Sequence, residues 1–403
     1  MKLKVLIAGG IIFLLEGCLR PVTWEPLPPA EPPFYLEQKS VYPLTDDADR
    51  LSLQTALERS LAHLAQKNSA ANSAVSSQGA MGNLFSPPKV LRSLTIFREV
   101  LSRASDEADL DRRVREAFTF WEVTSGGGAR PIVLTGYYEP IVEGQLEPGG
   151  EYLYPIYGRP EELIKKKARD NSGEWPSKNR IGGQERGQAA PYYSRKEIDC
   201  QGVLRGKGYE LAWLKDPWER YVLHVQGSGQ VRLPDGRTFR VGFAASNGRP
   251  YRSIGRYLVE QGFLNEQELS LSRVQEFLRQ HPERRDEIFS INERYIFFRF
   301  IPGKEGPIGS LGFPVTPGRS VATDPTVFPP GALAYLIARE PVFDEAGRLK
   351  ARKTLRRFVL NQDTGAAMKG PERVDFFCGS GEAAGKVAGA MREEGKIYFL
   401  HAK

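Results

Sequence analysis

The sequence predicts a mainly β protein with peripheral helices, divided into two medium-sized domains. Three observations carry that reading. The chain of 403 residues contains 41 Gly and 29 Pro, so turn-forming residues interrupt it throughout. Between them recur short runs rich in Val, Tyr and Phe, the residue types that suit a pleated, half-buried surface. Apolar residues at helical spacing are confined to a few stretches, and an apolar content of 40% over this length suits two cores better than one.

The first element is an export signal. Lys2 and Lys4 precede an apolar run from Val5 to Leu15, too short for comfortable passage through a bilayer as a permanent helix. The run ends in Leu15-Glu16-Gly17-Cys18, which resembles the lipobox of bacterial lipoproteins and makes Cys18 the expected lipid acceptor. Glu16 departs from the small or apolar residue usual there, and an uncleaved anchor with an incidental cysteine is the competing reading. Leu19 in place of aspartate after Cys18 implies sorting to the outer membrane, with the protein on its periplasmic side. Residues 19–45 are proline-rich and read as an extended tether.

Helical spacing appears from Leu51 to Ala65 and again from Val90 to Trp121, with a Ser/Ala/Asn/Gly-rich loop over residues 68–82 between them. After Ser125-Gly126-Gly127-Gly128 the pattern turns to strands, beginning with Pro131 to Pro140. Tyr221 to Gly229 reads as a strand, followed by a hairpin through Pro234-Asp235-Gly236-Arg237 into Thr238 to Phe243. Ser253 to Gln261 and Glu266 to His281 read as helices and Tyr295 to Phe300 as a strand. Strands then recur from Gly309 onward at Arg357 to Leu360, Val374 to Phe377 and Ile397 to Leu400, with a helix from Gly381 to Glu394. No fixed-period repeat is visible, which sets solenoids and propellers aside.

The 56 basic and 49 acidic residues leave a net charge of +7. An anionic polymer is therefore an acceptable partner, but the charges are interspersed and no nucleic-acid recognition motif accompanies them, so no nucleic acid is expected. With Cys18 set aside, Cys200 and Cys378 remain, neither at metal-ligand spacing, and the four histidines form no cluster. No nucleotide-binding glycine loop occurs. The expected cofactor and metal content is none.

Three aspartates, Asp324, Asp363 and Asp375, lie among turn or strand residues with apolar or glycine-rich surroundings. A carboxyl group beside apolar walls retains its proton toward neutral pH and can donate it to a leaving oxygen. Each aspartate also reads simply as a turn cap. Asp363-Thr364-Gly365 spells the short signature of an aspartic protease, yet no second copy supplies the paired carboxylate within the chain. Thr135, Tyr137 and Tyr138, with Gln226, Ser228 and Gly229, bring aromatic faces and short polar groups to strand ends. These suit sugar rings, and read equally as core tyrosines and a glycine-rich bend.

Taken in order, the blocks LTGYYEP (134–140), ELAWLKDPWERYVLHVQGSGQVRLPDG (210–236), NGRPYRSIGRYL (247–258), SLGFPVTPGRSVATDPTVFPPGALAYL (310–336) and RRFVLNQDTGAAMKGPERVDFFCGSGEAAG (356–385) resemble the membrane-bound lytic murein transglycosylase A (MltA) family, with its C-terminal 3D domain. The resemblance covers roughly 134–403. It implies a double-psi β-barrel from 46–139 plus 306–403, a second barrel-like β domain inserted at 140–305, and a glycan cleft between them. It implies Asp375 as the catalytic acid and base, Asp324 and Asp363 as supporting aspartates, and Thr135, Tyr137, Tyr138, Gln226, Ser228 and Gly229 as cleft residues. The implied reaction breaks the β-1,4 bond between N-acetylmuramic acid and N-acetylglucosamine in peptidoglycan and closes a 1,6-anhydro ring without water. Implied partners are peptidoglycan strands, the membrane through the lipid anchor, and other cell-wall enzymes. A non-catalytic peptidoglycan-binding lipoprotein, a conventional muramidase and, behind them, a protease are the competing readings.

Overall fold

In the computed structural model the described residues are 34–41, 43–69, 84–125, 131–163, 191–303 and 305–403, and Phe34–Lys403 forms one compact unit. The export signal with Cys18, the tether up to Pro33 and the small-residue loop beyond Ser69 lie outside the described residues.

The tether as predicted is too long. Residues Phe34–Lys39 form strand β1, because FYLEQK contains no proline to interrupt a ladder. Helix α1 (Arg50–Ser69) buries Leu53, Ala56, Leu57, Leu61 and Leu64 along one face, the i, i+3, i+4 stripe that marked it in the sequence. The single helical stretch predicted from Val90 to Trp121 is three elements: α2 (Pro87–Arg103), α3 (Glu107–Ala117) and strand β2 (Phe118–Ser125). Asp106 restarts the chain as α3 by accepting the Asp109 amide at 2.8 Å. From Phe118 the burial pattern changes to alternation, with Phe118 and Phe120 inward. Strand β2 pairs with β1, and after it comes β3 (Ile132–Glu139).

The middle of the chain runs through β4 (Ile141–Gln145), β5 (Tyr154–Tyr157), α4 (Arg195–Asp199), β6 (Glu210–Leu214), α5 (Pro217–Gln226), β7 (Ser228–Arg232), β8 (Thr238–Ser246), α6 (Ile254–Glu260), α7 (Leu271–Gln280), α8 (Arg285–Ile291) and β9 (Ile296–Ile301). Its strands form one six-stranded sheet in the order β5-β6-β4-β7-β8-β9. A bridge between Gly158, just past β5, and Phe298 of β9 brings the two edges together. Val142, Ile156, Leu214, Val231, Val241 and Phe298 fill its interior. The strand predicted at Tyr221–Gly229 is mostly helix. Asp216 accepts the Trp218 amide at 2.8 Å, Pro217 occupies the first turn, and Gly227 ends α5 at φ 79°. The hairpin predicted after it is present as β7 and β8.

The chain then returns through β10 (Ser320–Ala322), β11 (Leu333–Phe343), β12 (Leu349–Asp363), β13 (Arg373–Ser380), α9 (Gly381–Ala390) and β14 (Arg392–Ala402). Helix α9 is shorter than the predicted Gly381–Glu394, since β14 already begins at Arg392. Strands β14, β11, β12, β10, β13 and β3 pair in that order, and β3 pairs again with β14, closing a six-stranded barrel. Helices α1 and α2 cover it, with Phe97 of α2 lying 5.1 Å from the Phe358 ring. A fully buried Arg319 fastens the N-terminal segment to this barrel: it donates to Asp46 Oδ2 at 2.7 Å, Ser52 Oγ at 2.9 Å and the Asp49 carbonyl at 2.8 Å.

The chain leaves the closed barrel at Pro140. There the side chain of Glu139, with no exposed surface, is paired with Arg240 of β8 and accepts from Gln230 Nε2 of β7 at 2.8 Å and Ser380 Oγ at 2.6 Å. One carboxylate thus ties both sheets together where the chain crosses between them.

Candidate active site

Strands β3 and β13 lie parallel in the barrel wall, with Asp375 opposite Thr135 and Phe377 opposite Tyr137. Strand alternation puts Thr135 and Tyr137 on one face of β3, and Asp375 beside them. The Thr135 hydroxyl donates to Asp375 Oδ1. Burial raises the Asp375 carboxyl above its ordinary value, opposed by the Thr135 hydrogen bond and by the positive charge of Arg373, two residues along the same strand face.

Asp363 ends β12 and joins the same cluster. Its Oδ2 accepts the Tyr137 hydroxyl at 3.1 Å, while Oδ1 accepts the Ser310 amide at 2.9 Å and the Thr364 amide at 2.8 Å. Burial pushes it up to about 6 against the pull of those donors, and the nearby Asp375 charge adds to the rise. Tyr137 rests its ring 5.1 Å from Phe377, and burial together with the Asp363 charge drives its phenol well above the ordinary value.

Asp324 has a different setting. Its Oδ1 accepts the Thr326 amide at 2.9 Å and hydroxyl at 2.7 Å, and its Oδ2 accepts the Gly370 amide at 2.8 Å. It is a turn cap that fastens the segment after β10 to the loop before β13.

The predicted sugar-facing residues of the second sheet divide by location. The Gln226 amide oxygen accepts the Tyr138 backbone amide at 3.2 Å, joining the end of α5 to β3. Ser228 and Gly229 begin β7. A Cβ at Gly229 would lie 2.4 Å from Leu223 Cδ1 and 3.0 Å from the Pro140 carbonyl, so close packing accounts for that glycine. The Tyr138 ring lies against α9, where a Cβ at Gly385 would come within 2.8 Å of it. Burial raises its phenol to about 12. Cys200 is exposed and Cys378 partly buried, and both are free thiols.

Three residues near the site were not singled out from the sequence. Burial raises the phenol of Tyr251 above its ordinary value, and the charges of Arg373, Asp375 and Arg195 act on it as well. Arg373 has a buried Nε with no hydrogen-bond partner. Glu219, in the first turn of α5, is raised to about 7 by burial and by Asp216. Its Oε2 accepts the Glu143 amide at 3.4 Å, and its charge acts on the Tyr138 phenol of β3. All three lie within the blocks that carried the resemblance, Tyr251 in 247–258, Glu219 in 210–236 and Arg373 in 356–385, but nothing in their residue type or spacing marked them out.

The chain matches the family model described as the MltA specific insert domain over residues 133–299 and that of the 3D domain over 319–401. A membrane-bound lytic murein transglycosylase A of Vibrio cholerae is 29% identical over 280 residues, covering 68% of this chain and 67% of that protein. The crystal structure of a membrane-bound lytic murein transglycosylase from Agrobacterium tumefaciens aligns with a TM-score of 0.72 at 28% identity, covering 91% of this chain and 98% of that one. The structure of MltA from Neisseria gonorrhoeae in its monoclinic form aligns at 0.62 and 29% identity, covering 88% of each chain. With the insert and 3D domains matched in order on the two sheets, and the aspartates gathered on the closed barrel, this chain belongs to the MltA family.

Proposed function

We propose that this chain is a lytic transglycosylase that cleaves the β-1,4 bond between N-acetylmuramic acid and N-acetylglucosamine in peptidoglycan, with Asp375 as acid and then base. The observation that carries this reading is the unequal engagement of the three aspartates. Asp324 and Asp363 are each held by two backbone amides, whereas among the described residues the Asp375 carboxyl has a single hydrogen-bond partner, the Thr135 hydroxyl. One carboxyl group is free for proton transfer. Hydrolysis of a glycoside normally uses two carboxyl groups, one for the leaving oxygen and one for water or C1. Attack by the muramic O6 needs only one, because the nucleophile is already tethered to the sugar at high effective concentration.

In the proposed reaction, Asp375 donates its proton from Oδ2 to the glycosidic oxygen as the bond to C1 breaks through an oxocarbenium-like state. The resulting carboxylate takes the O6 proton as O6 bonds to C1. The proton returns to Asp375, and no water is consumed. Burial keeps the acid protonated further toward neutral pH than an exposed carboxyl, while Thr135 orients it and stabilises the carboxylate formed midway. Asp363 fixes Tyr137 beside it, and Asp324 supports the loop leading into β13. None of these steps uses a metal or cofactor.

Several further assignments belong to the same proposal. Residues 46–139 with 306–403 make one domain and 140–305 its insert, supported by the change of sheet between Glu139 and Ile141 and between Ile301 and Ser320. The glycan lies between them, contacting Thr135, Tyr137, Tyr138, Gln226, Ser228 and Gly229. A lipid on Cys18 holds the enzyme at the periplasmic side of the outer membrane, where other cell-wall enzymes are its neighbours.

Mass spectrometry of material released from purified sacculi tests the reaction. Expected products are anhydromuropeptides, one water lighter than their hydrolytic counterparts. Reducing-end products would make the protein a muramidase, and binding without release would make it a wall tether. The proton assignment has its own test in Thr135→Val. Loss of the hydroxyl removes a donor to the carboxylate, so the Asp375 value rises further and the alkaline limb of the kcat/KM profile moves to higher pH. An unmoved limb would remove Asp375 as the titrating acid.

A further inference from the structure

Beyond the aspartate cluster, the second sheet carries a cavity of about 180 Å³ between β5, α4, the start of α5 and α8. Its wall holds four arginines, Arg195, Arg205, Arg220 and Arg285, against two carboxylates, Asp199 and Asp286. The deepest part has an unbalanced charge. Asp199 is shared by Arg220 Nη1, 2.9 Å from Oδ1, and Arg195 Nη1, 3.5 Å from Oδ2, and it also accepts the Tyr295 hydroxyl at 3.2 Å. These side chains are only 9%, 2% and 8% exposed for Arg220, Arg195 and Asp199, so two guanidinium groups face one carboxylate away from water. A buried positive charge without its own counter-ion is costly unless something anionic completes it.

The two deep arginines differ in how they are satisfied. Arg195 also donates to the Asn292 carbonyl at 2.9 Å and the Arg294 carbonyl at 2.7 Å, and its guanidinium lies over the Tyr221 and Tyr295 rings. That fork is occupied. Arg220 has Asp199 and the Tyr154 ring at 5.4 Å. Arg285 also approaches the Tyr154 ring, at 5.8 Å, while pairing with exposed Asp286 at 3.1 Å. Arg205 is exposed at the rim and, among the described residues, has no carboxylate within salt-bridge distance. An aromatic ring with arginines over it, a deep guanidinium and a solvated one at the rim match the charged oxygens of an acid group on a short organic chain.

We propose that this cavity is a binding site for a small organic oxyanion, a carboxylate or a phosphate monoester, held by Arg220 within and by Arg205 and Arg285 at the rim. None of these residues belongs to the aspartate cluster, so the site stands whether or not the chain cleaves glycan. Occupancy would add a second counter-charge beside the one Asp199 carboxylate that Arg195 and Arg220 share, and would brace α4, α5 and α8 against β5.

Isothermal titration calorimetry on the full chain, with glutarate, glycerol phosphate and the uncharged glutaramide as probes, tests the proposal without glycan. Glutarate or glycerol phosphate is expected to bind in the millimolar range or tighter, and which one binds better identifies the acid group. Arg205→Gln and Arg285→Gln lie at the rim and leave the buried charges in place; each is expected to weaken binding about tenfold with an unchanged circular-dichroism spectrum. Three results would overturn the site: no heat from either anion, equal binding of glutaramide, or unweakened binding by both variants.

Discussion

Asp375→Asn is expected to lower release of soluble muropeptides by about 10²- to 10⁴-fold, the range that a positioned general acid and base supplies. The amide retains the volume of the carboxyl, and Thr135 Oγ1 still has an oxygen to which it can donate, so the fold and glycan binding should persist. Asp363→Asn is the informative companion. Asp363 holds Tyr137 and is itself held by the Ser310 and Thr364 amides, so its replacement disturbs positioning without removing the transferred proton. A smaller loss is expected there, in keeping with a supporting role. Near-normal turnover by folded Asp375→Asn would end the proposed mechanism, and equal loss from both variants would mean that the pair acts as one titrating unit. The quantity to compare is the initial rate from identical sacculi, with binding measured by co-sedimentation.

Glu139→Gln is expected to destabilise the protein by about 3–5 kcal/mol, the usual consequence of stripping one partner from a buried ion pair. Arg240 is 9% exposed and Glu139 fully buried, so water cannot replace the missing charge. Gln230 and Ser380 would also compete for one remaining acceptor. The double variant Glu139→Leu with Arg240→Met removes both charges and should regain much of that loss, because an apolar pair of similar size often substitutes well. Urea denaturation of the three proteins measures this. A change below about 1 kcal/mol in Glu139→Gln would place the pair in the class of solvent-screened bridges.

Periodicity found the longer helices and several strands, missed short elements such as β4, β5, α4, β6 and α8 and the long strand β11, and blurred where neighbouring elements meet. Helix α1 was legible because its stripe from Leu53 to Leu64 is uninterrupted, and β3 because Pro131 and Pro140 bracket it. The α5 segment was mistaken for a strand because YVLHV is rich in β-branched and aromatic residues. Its caps, Asp216-Pro217 and Gly227, lie outside the apolar run and outweigh that composition. Ser105-Asp106 similarly divides what reads as one helix in the sequence. For the site, the ordered blocks carried the aspartates and Thr135, but no spacing rule shows how differently the three carboxyls are engaged. That depends on local amides of Thr326 and Thr364 together with distant ones, Ser310 lying 53 residues from Asp363 and Gly370 46 from Asp324. Glu139 was visible only as one letter of a block, since its partners lie 91, 101 and 241 residues away.

The hydrogen bond between Thr135 and Asp375 spans 240 residues of sequence. As the chain is synthesised from its N-terminus, β3 emerges early and remains unpaired on both sides until β13 and β14 arrive near the C-terminus. The second sheet, whose strands lie between Ile141 and Ile301, has all its partners first. Local pairing therefore precedes closure of the barrel, whose long-range contacts carry the larger entropic cost. A chain that stops short of Arg373 has Thr135 but neither Asp375 nor the strand that presents it. The Thr135–Asp375 pair is consequently among the last contacts to assemble, after the strands of the second sheet have met their partners.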